Sequence, residues 1–158
     1  SSDVCSSDLA STIAAARNAG IPNSRLTIEI TESECISDVE NFTKTINEYR
    51  NFGINISIDD FGAGYAGLNL LAEFQPDSIK LDMALIQKID THGPRQAIVR
   101  GVLRTCQDLG IEIIAEGVET QREFEWCRDE GVELFQGYYF AKPSFESLPL
   151  AYYPAFDL

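Results

Sequence analysis

The sequence predicts an α/β fold built on parallel strands, and two patterns support this prediction. Five short apolar segments alternate with stretches of helical periodicity, and strands that alternate with helices pair in parallel through right-handed crossovers. Each apolar segment also ends on polar or acidic residues, as strands do whose carboxyl ends form the rim of a β/α barrel. A closed eight-stranded barrel needs roughly 250 residues, whereas this chain has 158. We therefore predict a partial TIM-like (β/α) barrel, with about five of the eight β/α units.

Local signals place the individual elements along the chain. Short apolar runs predict strands near 26–30, 54–58, 78–81, 111–115 and 132–135. Apolar residues at helical spacing, together with glycine and proline stops, predict helices near 9–19, 37–52, 68–74, 95–109 and 120–130. Serine or threonine followed three residues later by glutamate, at 37–40 and 120–123, forms a capping box and predicts two of the helix starts.

Two packing expectations follow from these elements. The helix near 95–109 is predicted to turn Ile98, Val102 and Leu109 toward the core. In the second strand, Ile56 and Ile58 are predicted to face the interior of the barrel.

The domain boundaries are predicted from the two ends of the chain. Residues 1–9 carry an imperfect SSD repeat without helical or strand periodicity, and we predict that they form a disordered or non-native leader. The domain is predicted to occupy residues 10–148, and residues 149–158 form a tail.

Composition excludes several classes of function. The formal net charge is −13, from 25 acidic and 12 basic residues, whereas a surface for polymeric nucleic acid needs clustered lysine and arginine. No apolar run approaches the roughly 20 residues of a membrane span. Four cysteines are scattered without C-x-x-C spacing, which is typical of reduced thiols in a cytoplasmic protein. We therefore expect a cytoplasmic location and no membrane segment in this part of the protein.

The strand ends carry the candidate chemistry. Four carboxylates and one lysine lie there: Glu29, Asp59, Asp60, Glu116 and Lys80. Hard cations prefer carboxylate oxygens, and without a cation these charges would repel one another. The sequence therefore predicts a divalent-metal site, and adjacent carboxylates that bridge two cations recur in two-metal phosphoester hydrolysis.

Some of these acidic residues also have a structural interpretation, which the sequence leaves open. The pair Asp59 and Asp60, which precedes a glycine-rich loop, could be a solvated turn that caps the next helix. Both side chains reach the rim only if the backbone twists there. Glu32 could equally be a solvated loop residue.

The lysine and the last strand end have open alternatives as well. Lys80 could activate a water beside the metals, or it could form a structural ion pair with Asp82 or Glu116. Gln136 follows the last strand, where its amide suits a hydrogen bond to a base edge or a phosphate oxygen.

Five motifs, in this order, resemble the EAL domain family of bacterial cyclic di-GMP phosphodiesterases. They are E-I-T-E at 29–32, D-D-F-G-A-G-Y at 59–65, K-L-D at 80–82, E-G-V-E at 116–119 and Q-G-Y-Y-F-A-K-P at 136–143. The stretch at 91–96 also has a weaker likeness to EAL proteins coupled to blue-light-sensing BLUF domains. The resemblance implies a TIM-like barrel with two Mg²⁺ or Mn²⁺ ions that opens cyclic di-GMP to linear pGpG.

The resemblance also implies roles for individual residues. It makes Glu29 and Asp59 metal ligands, and Asp60 a ligand of the second ion. By the same likeness, Lys80 and Glu116 orient and activate the attacking water, and Gln136 holds the water or the substrate. The remaining matches are Glu32, which anchors the loop 61–67, and the supporting residues Asp82 and Glu119. It further implies a homodimer contact through the loop 61–67 and an upstream sensor or GGDEF-type domain.

Two family ligands have no counterpart in this sequence. The Glu-Ala-Leu motif appears nowhere, and the metal-binding Asn that the family carries on the strand before Glu29 is also missing. We therefore expect these 158 residues to be inactive alone, as part of an active parent enzyme. The alternative is a degenerate, non-catalytic EAL module that binds cyclic di-GMP or a protein partner. Another metal-dependent barrel, such as an enolase-type enzyme, fits the acidic rim but not the motifs.

Overall fold

The structure is a computed structural model, and it describes residues 2–32, 34, 39–64 and 67–154. Its strands are β1 (Thr27–Thr31), β2 (Asn55–Phe61), β3 (Ser78–Leu81), β4 (Glu112–Ala115) and β5 (Leu134–Phe135). Its α-helices are α1 (Ser2–Asn18), α2 (Val39–Asn51), α3 (Gly67–Phe74), α4 (Met83–Ile86), α5 (Gly93–Leu109) and α6 (Gln121–Asp129). No helix among the described residues is both long and apolar enough to cross a membrane.

The strands form one sheet in which every pairing is parallel and the order is β1-β2-β3-β4-β5. Strands adjacent in sequence are therefore adjacent in space, as the alternating pattern predicts. The predicted fold class is confirmed. Because all five carboxyl ends lie on the same edge of the sheet, residues that follow the strands converge there.

The sheet has one apolar and one polar face. Ile56 and Ile58 are at most 1% exposed and belong to the hydrophobic core that also contains helix residues. Side chains alternate along a strand, so Glu29, Ser57 and Ser78, which are neighbours in the strand register, lie on the opposite face. The prediction that Ile56 and Ile58 face the barrel interior is therefore wrong. That interior face is polar, and the isoleucines pack in the core on the other side.

The buried stripe of α5 also differs from the predicted one. Ile98 is 55% and Leu109 is 44% exposed, so both predictions are wrong, whereas Val102 is buried as predicted. The stripe instead contains Val99 and Cys106, both fully buried. Residues 99, 102 and 106 are spaced by three and four positions, which places them on one face of a helix. Ile98 is one residue, or about 100°, away from that face.

Two helices differ from the prediction, α1 in its start and α4 because no helix is predicted at its position. Helix α1 begins at Ser2, earlier than the predicted start near residue 9, and the predicted boundary between a leader at 1–9 and the domain at 10–148 stays a prediction. Once a helix has formed, each added residue gains a hydrogen bond without a new nucleation cost, which favours extension. Helix α4 has only four residues, too few to show a helical period in the sequence. Ser37 and Asp38 of the capping box at 37–40 lie outside the described residues, whereas the second box, with Thr120 as N-cap and Glu123 as its partner, is confirmed.

Gly137 gives a direct test of the packing between the last two strand ends. A Cβ at this position would overlap the backbone of Val118, so we expect Gly137→Ala to lower the free energy of unfolding by about 2 kcal/mol or more. A Cβ at Gly101, in α5, would meet nothing within 4 Å. Gly101→Ala should therefore raise stability by about 0.5–1 kcal/mol. Urea denaturation of both variants measures the difference, and equal effects would contradict the packing of residue 137 against Val118.

Candidate active site

Lys80 is the centre of the polar cluster at the carboxyl ends of the strands. Its side chain is only 9% exposed, and Nζ lies 3.2 Å from Glu29 Oε2, 3.0 Å from Asp59 Oδ1 and 2.8 Å from Glu116 Oε1. Glu29 and Asp59 belong to β1 and β2, and Glu116 follows β4. One ammonium group on β3 therefore connects carboxylates from three other strand ends. The predicted ion pair with Glu116 is present, as one of three.

These contacts keep Lys80 charged. Burial alone would lower the pKa of its ammonium group, but hydrogen bonds to Glu116, Asp59 and Glu29 outweigh that effect and raise the pKa. A lysine that stays protonated does not act as a general base. It can donate hydrogen bonds and stabilise negative charge that develops nearby.

Three carboxylates beside Lys80 form a group with metal-binding geometry. One ligand oxygen each of Asp59, Asp60 and Glu116 lies within 4.8 Å of the others. Burial, followed by repulsion from Asp59 and Asp82, raises the pKa of Asp60. Burial also raises the pKa of Glu116, although Lys80 opposes it. Carboxylates held this close favour a divalent cation, whose charge would relieve their repulsion, so the donor set fits Mg²⁺ or Mn²⁺.

An irregularity in β2 brings the two adjacent aspartates into this group. The register of β2 against β3 shifts between Ile58 and Phe61, and Asp60 has a φ of 53°. Successive side chains of a regular strand point to opposite faces. The extra residue and the left-handed backbone at Asp60 remove that alternation, as a β-bulge does. The twist that the sequence analysis required is therefore present.

Glu32 connects the first strand to the glycine-rich loop after β2. It is 3% exposed, and its Oε2 accepts hydrogen bonds from the backbone N–H of Gly62 (3.1 Å) and Gly64 (3.2 Å). A Cβ on Gly64 would lie 2.7 Å from Glu32 Oε1, so this approach requires glycine. Glu32 is therefore not a solvated loop residue. Residues 65 and 66 of the loop 61–67 lie outside the described part of the chain.

We expect Glu32→Ala to release this loop. The substitution leaves the N–H groups of Gly62 and Gly64 without their acceptor, so amide exchange in residues 61–67 should accelerate at least about tenfold, equivalent to roughly 1.4 kcal/mol of lost local stability. Hydrogen exchange measured by mass spectrometry tests this expectation. Glu34→Ala, which removes a carboxylate bonded to Thr31, serves as the control. Unchanged exchange in 61–67 in the Glu32 variant would contradict the anchor.

The remaining predicted residues lie around this centre. Asp82 is the N-cap of α4, and its Oδ1 accepts a hydrogen bond of 2.7 Å from the N–H of Ala84. The Asp82 carboxylate also lies near Asp60, where its negative charge contributes to the raised pKa of Asp60. Glu119 has an exposed side chain, and its backbone N–H donates to Glu123. Gln136 is exposed and follows β5, where its N–H donates to the carbonyl of Ala115.

The part of the structure that joins the loops around the site is not predicted by the sequence. Helix α4 contacts two of these loops, because Leu85 fills the space beside Gly62 and Met83 fills the space beside Gly117. Glu123 was recognised as a helix-capping residue, but its third hydrogen bond, from the N–H of Lys88, was not. A glutamate at the third position of a capping box is a signal for local bonds only, so this contact was outside what the sequence shows.

Comparisons with known proteins agree with the sequence resemblance. A sequence model of one protein family, the EAL domain, matches residues 1–143. The blue light- and temperature-regulated antirepressor BluF of Escherichia coli K12 is 42% identical over 137 residues, which are 87% of this chain and 34% of BluF. The cyclic di-GMP phosphodiesterase PdeR of the same organism is 37% identical over 116 residues, 73% of this chain and 18% of PdeR. The chain thus spans about a third or less of the length of these relatives.

Solved structures support the fold. Klebsiella pneumoniae BlrP1, in a calcium and cyclic di-GMP complex at pH 8.0, superposes with a TM-score of 0.84 at 43% identity, over 89% of this chain and 36% of BlrP1. Its manganese and cyclic di-GMP complex at pH 9.0 gives a TM-score of 0.83 at 44% identity, over 85% of this chain and 34% of BlrP1. The resemblance seen in the motifs is confirmed at the level of sequence and of fold.

Proposed function

Because the chain belongs to the EAL domain family, we propose that it is part of a phosphodiesterase that hydrolyses cyclic di-GMP to linear pGpG. The observation that carries this proposal is the Lys80 cluster. A charged lysine is hydrogen-bonded to carboxylates from three other strand ends, beside three carboxylates at metal-binding distances. Both features suit the hydrolysis of a phosphodiester, since negative charge develops on the attacked phosphate and on the leaving oxygen.

We propose Glu29, Asp59 and Asp60 as ligands of two Mg²⁺ or Mn²⁺ ions. The proximity of Glu116 to both aspartates adds it to the candidate ligands. When bound, the ions would lower the pKa of a water and stabilise the attacking and leaving oxygens. That the similar protein BlrP1 has a manganese and cyclic di-GMP complex supports this choice of metal.

The chain's own residues have distinct roles in the proposed reaction. The oxygen of a water forms a bond to phosphorus, and the bond from phosphorus to the 3′ oxygen breaks, which leaves a 5′ phosphate on pGpG. The carboxylate of Glu116 is proposed to accept the proton of the water, and burial, which raises its pKa, supports this role. The ammonium of Lys80 holds Glu116 in position through its 2.8 Å contact and stabilises charge on the phosphate. Gln136 is proposed to hydrogen-bond the water or the substrate.

We further propose that the loop 61–67 contributes to a homodimer contact and that a sensor or GGDEF-type domain precedes this segment. Both proposals come from the family resemblance. Glu32 and its hydrogen bonds to Gly62 and Gly64 would connect such a contact to the metal site, because this loop directly follows Asp59 and Asp60.

A second candidate function is a non-catalytic module that binds cyclic di-GMP or a protein partner. The observation in its favour is the 42% identity to BluF, which is described as an antirepressor. The clustered carboxylates and the charged lysine favour the enzyme, because a module that only binds has no need of a charged metal site that is costly to maintain.

Turnover and binding measured together distinguish the two candidates. The complete protein is incubated with cyclic di-GMP and Mg²⁺ or Mn²⁺, pGpG release is followed by chromatography, and affinity is measured with Ca²⁺ in place of the other ions. The enzyme predicts metal-dependent pGpG release, whereas the module predicts binding without release. Residues 1–158 alone, which lack the Glu-Ala-Leu motif, are the control and should release none. If the complete protein neither releases pGpG nor binds cyclic di-GMP, both candidates are overturned.

A further inference from the structure

Glu123, on α6, holds two segments of backbone that do not belong to its own helix. Its Oε2 accepts hydrogen bonds of 3.0 Å from the N–H groups of Glu119 and Thr120, in the loop after β4. Its Oε1 accepts a 2.7 Å bond from the N–H of Lys88, in the turn after α4. Glu123 is only 4% exposed, so little water competes for these bonds.

The turn at Lys88 depends on this carboxylate. Lys88 has a φ of 58°, a left-handed conformation that costs a residue with a Cβ roughly 1 kcal/mol or more. Such a conformation persists where surrounding contacts hold it. The bond from Lys88 N–H to Glu123 is one such contact, and it joins the end of α4 to the start of α6.

The loop after β4 is held on both sides. On the β5 side, the N–H of Val118 donates to the carbonyl of Gln136 (3.1 Å), and the carbonyl of Val118 accepts from the N–H of Tyr139 (3.0 Å). On the α4 side, Gly117 packs against Met83, and Glu123 holds the N–H of Glu119. Glu116 starts this loop, so its carboxylate, which lies beside the two aspartates and 2.8 Å from Lys80, depends on the position of the backbone that follows it.

We propose that Glu123 is a positioning residue for the metal site, and that it acts by holding the loop 116–120 against the turn after α4. This inference rests on the proposed function, because it takes the carboxylates of Asp59, Asp60 and Glu116 to bind a metal. Residues that orient metal ligands from outside the coordination sphere commonly change affinity by about 10- to 100-fold when replaced.

Three variants separate this role from simple capping of α6. Glu123→Gln keeps the size of the side chain but replaces one acceptor oxygen by a donor, so it cannot accept all three N–H bonds. Thr120→Ala removes the other half of the capping box, since the Thr120 Oγ1 accepts from the Glu123 N–H, and it leaves the bonds to Glu119 and Lys88 in place. Glu125→Gln makes the same chemical change on the same helix at a residue that bonds Gln121.

Manganous ion alone is the probe, titrated by calorimetry into the complete protein. We expect Glu123→Gln to weaken Mn²⁺ binding by about 10-fold or more, with Thr120→Ala and Glu125→Gln within about twofold of the unchanged protein. Equal affinity of Glu123→Gln and the unchanged protein would overturn the inference, as would equal losses in Glu123→Gln and Thr120→Ala. If the unchanged protein does not bind Mn²⁺, the proposed function is overturned instead.

A second measurement needs no variant and therefore does not depend on the fold of one. Coupling between two sites is reciprocal, so Mn²⁺ should stabilise the bonds of Glu123 if Glu123 promotes Mn²⁺ binding. We expect Mn²⁺ to slow amide exchange at Lys88, Glu119 and Thr120 at least about threefold, together with exchange at 59–64. Slower exchange at 59–64 without any change at those three amides would overturn the proposal.

Discussion

A Lys80→Met variant of the complete protein should lose about 100- to 1,000-fold of its turnover, because removal of one preorganised donor from a site of charge development commonly has that effect. Lys80 is the donor that contacts Glu29, Asp59 and Glu116 together, and methionine fills a similar volume without the charge. Turnover is measured as pGpG release at saturating Mn²⁺.

Lys142→Met, which removes an exposed lysine that lies over the Tyr138 ring, is the control and should stay within twofold of the unchanged protein. Equal turnover of both variants would show that Lys80 has a structural role only.

The same variant should also change how stability depends on metal. Without Lys80, the carboxylates of Glu29, Asp59 and Glu116 repel one another. Removing one partner of a buried ion pair costs about 3–5 kcal/mol. Here the Glu29 side chain is 51% and that of Asp59 26% exposed, so water screens part of the repulsion and we expect a loss of about 2 kcal/mol in the metal-free protein. A metal ion that binds the folded state alone stabilises it, so Mn²⁺ at the proposed site should restore most of this loss. Thermal unfolding with and without Mn²⁺ measures it, and an equal loss under both conditions would contradict a metal site beside Lys80.

The strands were predictable because their signal is local. Each strand is a short apolar run that ends on polar residues, and the structure places strands at Thr27–Thr31, Ser78–Leu81 and the three other predicted positions. The buried face of α5 was not predictable to one residue. The sequence has apolar residues at both Ile98 and Val99, and only the packing of the helix against the sheet decides that Val99 is buried and Ile98 is not.

The members of the site were predictable, but their arrangement was only partly so. The carboxyl ends of parallel strands meet at one edge, so the sequence could place Glu29, Asp59 and Glu116 near Lys80. It left open whether Lys80 forms ion pairs or serves chemistry. The structure shows the three ion pairs, and the proposed function assigns the chemistry to the same ammonium group. The wrong orientation of Ile56 had a different cause. The side-chain period of a strand shows which residues share a face, but not which face meets the helices.

The connection between the loops could not be derived from the sequence. Helix α4 has four residues, fewer than the helical period needs to become visible. Its contacts with Gly62 through Leu85 and with Gly117 through Met83 join residues more than 20 positions apart. Such contacts follow from the assembled sheet, so they appear only after the strand order and register are known.

Asp59→Asn and Asp60→Asn test the proposed metal ligands, and each should lower turnover at least about 100-fold, equivalent to roughly 2.7 kcal/mol in the activation free energy. Both changes remove a negative charge from the group that also contains Glu116, and neither should disturb the backbone, because asparagine tolerates the left-handed conformation that Asp60 adopts at a φ of 53°.

Asp77→Asn is the matched control. Asp77 lies at the opposite, amino-terminal end of the strands, where its carboxylate accepts a 2.7 Å hydrogen bond from the N–H of Ile56, so its replacement should lower stability and leave Mn²⁺ affinity unchanged. Turnover, Mn²⁺ titration and circular dichroism of the three variants give the result. If Asp59→Asn retains near-normal turnover and Mn²⁺ affinity while it keeps its fold, the assignment of Asp59 as a metal ligand is wrong.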